Sequence, residues 1–211
     1  MRNLFLGIIL GTQILAASAA LPAASAPATD ETEALRAILA APAPDPTENS
    51  KAALSKIYLA RGRAAGTLGD TERELKELTA GIEVVGAKDP NSYELHDRLA
   101  RLEFDRGDFI AGRAARQAAL SVAGTLARRF FQLVNLASTS AVLRDRESAK
   151  AYLSQAEGAH SSMRRGNPDW NRFGDLWNAA LSDAKGNYNL SFGYILEAES
   201  DYRTCATAIR A

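Results

Sequence analysis

From residue 45 onward the chain repeats one pattern, in which two apolar stripes at helical spacing are separated by a short polar turn. In the first unit one face collects Leu54, Tyr58 and Ala65, and the face after the turn collects Leu78 and Ile82. Such spacing puts side chains on one side of an α-helix, whereas a half-buried strand would alternate at every second residue. No segment alternates in that way. The sequence therefore predicts an all-α chain of antiparallel helical hairpins.

Four dipeptides mark the expected turns inside the hairpins. They are Gly69-Asp70, Gly107-Asp108, Arg144-Asp145 and Gly186-Asn187, and their second residues are 38, 37 and 42 positions apart. Glycine adopts the left-handed backbone that ends a helix, and Asp or Asn caps the helix that follows. The series also explains the Arg-Gly-Asp tripeptide at residues 106–108, which animal adhesion receptors recognise. Its position indicates a structural turn.

The starts of three helices and the extent of the last one are also predicted. An Asp or Asn before proline is a helix-starting device, and it occurs at Asp45-Pro46, Asp89-Pro90 and Asn167-Pro168. The last helix is expected to span residues 188–210. Its apolar stripe is Tyr188, Phe192, Ile195, Ala198, Tyr202, Cys205 and Ile209.

The most specific stretch is residues 58–70, YLARGRAAGTLGD, followed by ELTAGI at residues 77–82. It resembles a tetratricopeptide repeat (TPR), and weaker copies surround the other turn dipeptides between residues 45 and 211. The resemblance implies a right-handed α-solenoid of about four antiparallel hairpins. Three residues depart from the family pattern: Glu74 and Gly112 stand where it prefers alanine, and Arg116 where it prefers a large apolar side chain. The spacing is similar to that of arrays preceding caspase-like (CHAT) peptidase domains in bacterial proteins.

Residues 1–44 are expected to lie outside the repeats. Residues 1–19 have the basic start, apolar run and small residues of a signal peptide, with Ala17 and Ala19 at the cleavage positions. The alternative, a membrane anchor, is disfavoured because the apolar run at residues 4–17 is shorter than the ~20 residues that span a bilayer. Residues 20–44 read as a short helix (residues 30–39) and an Ala/Pro-rich linker. We therefore expect a periplasmic or secreted protein without stable membrane insertion after cleavage.

Composition and chemistry favour no reaction and no nucleic-acid partner. Lys plus Arg and Asp plus Glu number 25 each, so no single-sign charge attracts nucleic acid. The only histidines, His96 and His160, fall in different repeats without ligand-spaced companions. Nothing around Cys205, the single cysteine, indicates an activated thiolate. The chain is predicted to be no enzyme and to hold no metal or cofactor.

A binding role is favoured instead, because stacked hairpins form a concave surface lined by their first helices. The residues assigned to that groove are Lys56, Arg63, Asp97, Arg101, Phe131 and Phe173, where the two aromatic residues have a core position as their alternative. Ile195, Tyr202 and Ile209 are assigned to a second surface on the C-terminal helix. That helix pairs with another copy to form a homodimer, docks on a partner, or belongs to a longer parent; all three remain open. The predicted function is an exported scaffold that binds a protein or peptide. The alternative is the regulatory N-terminal array of a secreted caspase-like peptidase.

Overall fold

The computed structural model of the protein describes residues 29–210. Within this range the chain forms nine α-helices and no strand, which confirms the all-α prediction for the described residues. The helices are α1 (Thr29–Ala40), α2 (Lys51–Thr67), α3 (Thr71–Val85), α4 (Tyr93–Asp105), α5 (Phe109–Ser121), α6 (Leu126–Val142), α7 (Arg146–Gly166), α8 (Trp170–Ser191) and α9 (Ile195–Arg210). The predicted signal peptide lies outside the described residues.

The helices pack as four consecutive hairpins. The pairs are α2/α3, α4/α5, α6/α7 and α8/α9, and the second helix of each of the first three pairs also contacts the first helix of the next pair. At the start of this row α1 packs on α2. Each hairpin therefore buries its apolar face partly within itself and partly against its neighbour.

Three of the four predicted hairpin turns are confirmed. Gly69, Gly107 and Arg144 have positive φ angles of 78°, 82° and 61°. The carboxylates of the next residues, Asp70, Asp108 and Asp145, accept backbone N–H groups from Arg73, Ala111 and Ser148 at 3.0, 2.9 and 3.1 Å. Each cap contributes about 1 kcal/mol to its helix. The left-handed residue and the capping carboxylate thus act together at each turn.

The fourth predicted turn, at Gly186-Asn187, is wrong. Helix α8 continues to Ser191, and the chain reverses at Gly193, whose φ is 89°. The predicted last helix is consequently divided, and only its later part is α9. The reason is packing: a Cβ on Gly186 would lie 2.6 Å from the ring of Tyr202, so this glycine provides room for α9.

The Asp-Pro and Asn-Pro pairs do not start the α-helices themselves, which corrects the sequence prediction. Each forms a turn just ahead of its helix, because the Asp or Asn side chain accepts an N–H two residues later. These bonds join Asp45 to Thr47, Asp89 to Asn91 and Asn167 to Asp169, at 2.7, 2.9 and 2.9 Å. Helix α2 is capped instead by Ser50, and α4 begins after a 3-10 turn, Pro90–Ser92.

Two large apolar clusters lie at opposite ends of the row. The first cluster joins the first two hairpins and contains Leu54, Tyr58, Leu78, Val85, Leu95 and Leu102. The second joins the last two hairpins and contains Phe130, Leu133, Val134, Ala156, Met163, Trp177 and Ala184. Between them, the contact of α4 and α5 with α6 carries polar side chains. This boundary matters for the predicted groove, because the groove residue Asp97 lies there.

Candidate interaction surfaces

The structure separates the predicted groove residues into groups. Lys56 and Arg63 are exposed on α2, which packs on α1, α3 and α4. Asp97 and Arg101 lie together on α4, where the Arg101 Nη2 atom donates to Asp97 Oδ2 at 2.8 Å. The guanidinium of Arg101 remains on the surface, since its side chain is 61% exposed. Of the cations in the predicted groove, Arg101 is thus held in place by Asp97, a residue of its own helix.

Asp97 is also the centre of a buried polar cluster between α4, α5 and α6. Gln132 donates its side-chain N–H to Asp97 Oδ1 at 2.7 Å and to the hydroxyl of Tyr93 at 3.0 Å. The Arg116 guanidinium approaches the same Asp97 oxygen at 3.7 Å and donates to Gln132 Oε1 at 3.4 Å. We call Tyr93, Asp97, Arg116 and Gln132 the polar junction.

Arg116 is the member of the polar junction whose burial costs the most free energy. It is buried, and its Nε atom lacks a hydrogen-bond acceptor among the described residues. Burial lowers the pKa of Arg116 to about 10, while Asp97 acts in the opposite direction. The guanidinium also stacks on Phe104, 4.9 Å from the ring centroid. Removing the carboxylate partner of a buried cation destabilises the fold strongly, so substitution of Asp97 should lower stability.

At the outer edge of the junction, Arg128 closes the contact between α4 and α6. Its guanidinium lies 4.4 Å from the centroid of the Tyr93 ring, and its Nη2 atom donates to Glu94 at 2.7 Å. Burial raises the pKa of the Tyr93 hydroxyl. The second and third hairpins therefore meet through hydrogen bonds and charge as well as apolar contact.

Sequence reasoning did not identify the polar junction, although one signal for it was present. Arg116 departs from the TPR pattern, and the structure shows the partners that accommodate it. The other two departures also have local partners. Buried Glu74 pairs with Arg98, and Gly66 leaves the space that this carboxylate fills. Gly112 receives the Phe104 ring, whose atoms would lie 3.0 Å from a Cβ there.

Phe131 and Phe173 pack against the second apolar cluster and are partly buried. The Phe131 ring is 5.5 Å from that of Phe130, and the Phe173 ring is 6.0 Å from that of Trp177. Both rings therefore contribute to the core, the alternative raised from sequence. Because both rings are only partly buried, their contribution to partner binding remains a prediction.

The C-terminal surface is the more exposed of the two predicted sites. Ile195 is 59% and Ile209 47% exposed, whereas Tyr202 is half-buried and donates its hydroxyl to Asn187 Oδ1 at 2.9 Å. A shallow groove of about 450 Å³ follows this face of α9. It is lined by Leu190, Ile195, Ala198, Glu199, Tyr202, Arg203 and Ala206. Ile195 and Tyr202 thus line one groove.

A second, more polar cleft of about 680 Å³ is lined by residues of α8 and α9 and by His160 on α7. The His160 Nε2 atom is 2.9 Å from Asn178 Oδ1, and its ring meets Trp170 edge-on with centroids 5.2 Å apart. Thr204 and Thr207 on the cleft wall donate their hydroxyls to carbonyls of their own helix. These polar groups are thus partnered within the protein.

His96 and Cys205, two titratable residues considered for catalysis, each lie in surroundings that shift their pKa. His96 is buried with Nε2 3.0 Å from the Ala87 carbonyl, and burial lowers its pKa. Burial raises the pKa of the Cys205 thiol, and nearby Asp183 raises it further. Residues 29–210 contain no cluster of His, Cys, Asp or Glu suited to a metal ion. No helix in the same range has the length and apolarity needed to cross a bilayer.

Comparison of the chain with models of known protein families, with curated proteins and with solved structures found no match.

Proposed function

We propose that the four hairpins form a TPR-like, right-handed solenoid that serves as an exported, periplasmic or secreted scaffold for a protein or peptide. Three turns with the same left-handed residue and Asp cap, and hairpins packed in chain order, support the repeat architecture. The proposal involves no reaction, cofactor or nucleic acid.

The observation that carries the proposed function is the fixed basic side chain on α4. Arg101 is mostly exposed, yet Asp97 holds its guanidinium through two hydrogen bonds at 3.1 and 2.8 Å. Asp97 is itself held by Gln132. A cation held in place before binding loses less conformational entropy when a partner arrives. With Arg63 exposed on α2, the surface suits an acidic segment of an extended or helical peptide.

The test is partner capture from envelope extract with matched charge reversals. Arg63→Glu/Arg101→Glu reverses two cations of the groove, and Arg36→Glu/Lys150→Glu reverses two exposed cations on α1 and α7. Both variants change net charge equally, and circular dichroism checks that both fold. We expect the groove variant to lose partners that the wild type and the control retain. Equal recovery by all three proteins would refute the groove as the binding site.

A second candidate function is a regulatory array preceding a caspase-like peptidase domain. The exposed apolar side chains of Ile195 and Leu196 favour it, since a following domain would cover them. Reading the gene beyond residue 211 tests it directly. A downstream domain with catalytic His and Cys would support this candidate, and a stop codon would eliminate it.

A further inference from the structure

Two arginines share one carboxylate at the polar junction. Asp97 Oδ2 accepts from the Arg101 guanidinium at 2.8 Å, and Asp97 Oδ1 faces the Arg116 guanidinium at 3.7 Å. The two cations belong to different helices, since Arg101 lies on α4 and Arg116 on α5. One negative charge therefore balances two positive charges, and this group of three side chains is net positive.

The other acidic residues of α4 do not supply the missing negative charge. Glu94 is paired with Arg128 at 2.7 Å, and Glu103 is paired with Arg106 at 3.3 Å. Asp105 is exposed and forms no ion pair within residues 29–210. Solvent and salt screen such an exposed charge more strongly than a buried one. The excess positive charge around Asp97 therefore has no paired counter-charge among the described residues.

The surroundings of Arg116 also indicate a charge that the protein balances incompletely. Its side chain is buried, and its Nε atom has no hydrogen-bond acceptor among the described residues. Its Nη1 atom reaches a neutral acceptor, Gln132 Oε1, at 3.4 Å. Burial lowers the pKa of Arg116, Asp97 opposes this effect, and Arg101 lowers the pKa further. The two cations are thus close enough to repel each other, and an additional anion would relieve that repulsion.

An anion can reach this group only at Arg101. The Arg101 side chain is 61% exposed, whereas Arg116 is closed off from solvent. Arg101 uses its Nε and Nη2 atoms to hold Asp97, which leaves the N–H groups of Nη1 for a ligand. In a peptide, the carboxylate of Glu or Asp is the group that a guanidinium binds most strongly.

We propose that Arg116 determines the specificity of the groove: from its buried position it makes the surface at Arg101 net positive, so that an acidic side chain of the partner binds there and a basic one is repelled. The inference rests on the proposed scaffold function and names the group of the partner that Arg101 binds. Arg116 acts without touching the partner, because the field of a buried charge is weakly screened. The Arg101–Asp97 pair alone would be neutral and would not distinguish the two kinds of side chain.

Fluorescence anisotropy with a labelled hexaglutamate peptide tests the effect of Arg116. Arg116→Met removes the buried charge and should weaken binding by roughly fivefold to thirtyfold, the effect of one unit charge near a protein surface. Arg116→Lys keeps the charge and should retain most of the affinity. Arg113→Met is the matched control, because it removes a cation from the same helix that pairs elsewhere, with Asp145 at 3.0 Å. We expect it to change the affinity by less than about twofold.

Circular dichroism checks that the variants fold, since a buried cation can often be replaced by an apolar side chain. Arg116→Gln takes the place of Arg116→Met if the latter does not fold. Equal affinities of Arg116→Met and Arg113→Met would overturn the proposal, as would a wild type that binds hexaglutamate no better than hexalysine. An equal loss in Arg116→Lys and Arg116→Met would also overturn it, because that result indicates a structural role.

Partner capture separates this inference from the proposed function. If Arg63→Glu/Arg101→Glu loses partners while Arg116→Met keeps the hexaglutamate affinity, the groove stands and only the role of Arg116 is refuted.

Discussion

The ion pair between Arg61 and Glu77 allows the sharpest stability prediction. Arg61 Nε and Nη2 donate to the two carboxylate oxygens of Glu77 at 2.7 and 2.8 Å, and both side chains are about one-tenth exposed (9% and 10%). Arg61 Nη1 also donates to the Ala41 carbonyl at 2.7 Å, just after α1. The pair therefore joins α2 to α3 and fixes α1 on both. Glu77→Gln keeps the shape of the side chain and removes its charge.

The expected loss is large because the remaining cation is buried. Removing one partner of a buried pair costs roughly 3–5 kcal/mol, against a total stability on the order of 10 kcal/mol. For a domain of about this size each kcal/mol lowers the melting temperature by about 2–4 °C. Glu77→Gln should therefore lower it by about 6–20 °C.

Thermal and urea unfolding, followed by circular dichroism, measure this loss. Glu72→Gln on the same helix is the matched control, since Glu72 is 80% exposed and pairs with Arg106 at 3.3 Å. Exposed pairs contribute at most about 1 kcal/mol. Arg61→Met/Glu77→Met should recover at least half of the loss, because it removes the unpaired charge. If Glu77→Gln and Glu72→Gln unfold alike, the burial argument is wrong.

Two further predictions concern the last hairpin. Gly186→Ala should reduce the unfolding free energy by roughly 1–3 kcal/mol, because the added methyl group would overlap the Tyr202 ring. Gly158→Ala is the control: open space surrounds this glycine, so the substitution should increase the unfolding free energy by about 0.5–1 kcal/mol. Denaturant unfolding measures both variants, and equal shifts would contradict the packing explanation. Burial raises the pKa of Asp183 from its ordinary value of 3.8 to about 6, although its carboxylate accepts an N–H from Asn187 at 3.0 Å. The folded protein then binds a proton at Asp183 more tightly than the unfolded chain does. The unfolding free energy should therefore fall by up to about 3 kcal/mol as pH rises from about 4 to 6. Asp183→Asn should remove that fall, and an unchanged pH profile in the variant would refute the assignment.

The sequence predicted those turns at which local signals suffice. At Asp70, Asp108 and Asp145 the left-handed residue and the cap are adjacent in the chain, so short-range chemistry determines the turn. Gly186-Asn187 looks the same locally. The helix continues there because the Tyr202 ring, from the next helix, packs on Gly186. That contact depends on the partner helix, which a dipeptide does not specify.

The polar junction was beyond local reasoning for the same physical cause. Asp97, Arg116 and Gln132 come from three different helices, and their hydrogen bonds exist only after the second and third hairpins pack. The sequence placed Asp97 in the groove but did not reveal that it also balances a buried arginine. Only the departure at Arg116 indicated a polar environment where an apolar one is usual.

The departures from the repeat pattern explain how the second hairpin is held between its neighbours. Arg98 on α4 binds the buried carboxylate of Glu74 on the first hairpin, and Asp97, on the same helix, faces the third hairpin. Phe104, near the end of α4, packs on Gly112 and stacks under Arg116. One helix thus carries charged groups toward both neighbours. Gln132 and Arg116 hold Asp97, and Asp97 in turn holds the guanidinium of Arg101 at the surface. The same contacts that join the hairpins therefore position the cation assigned to partner binding.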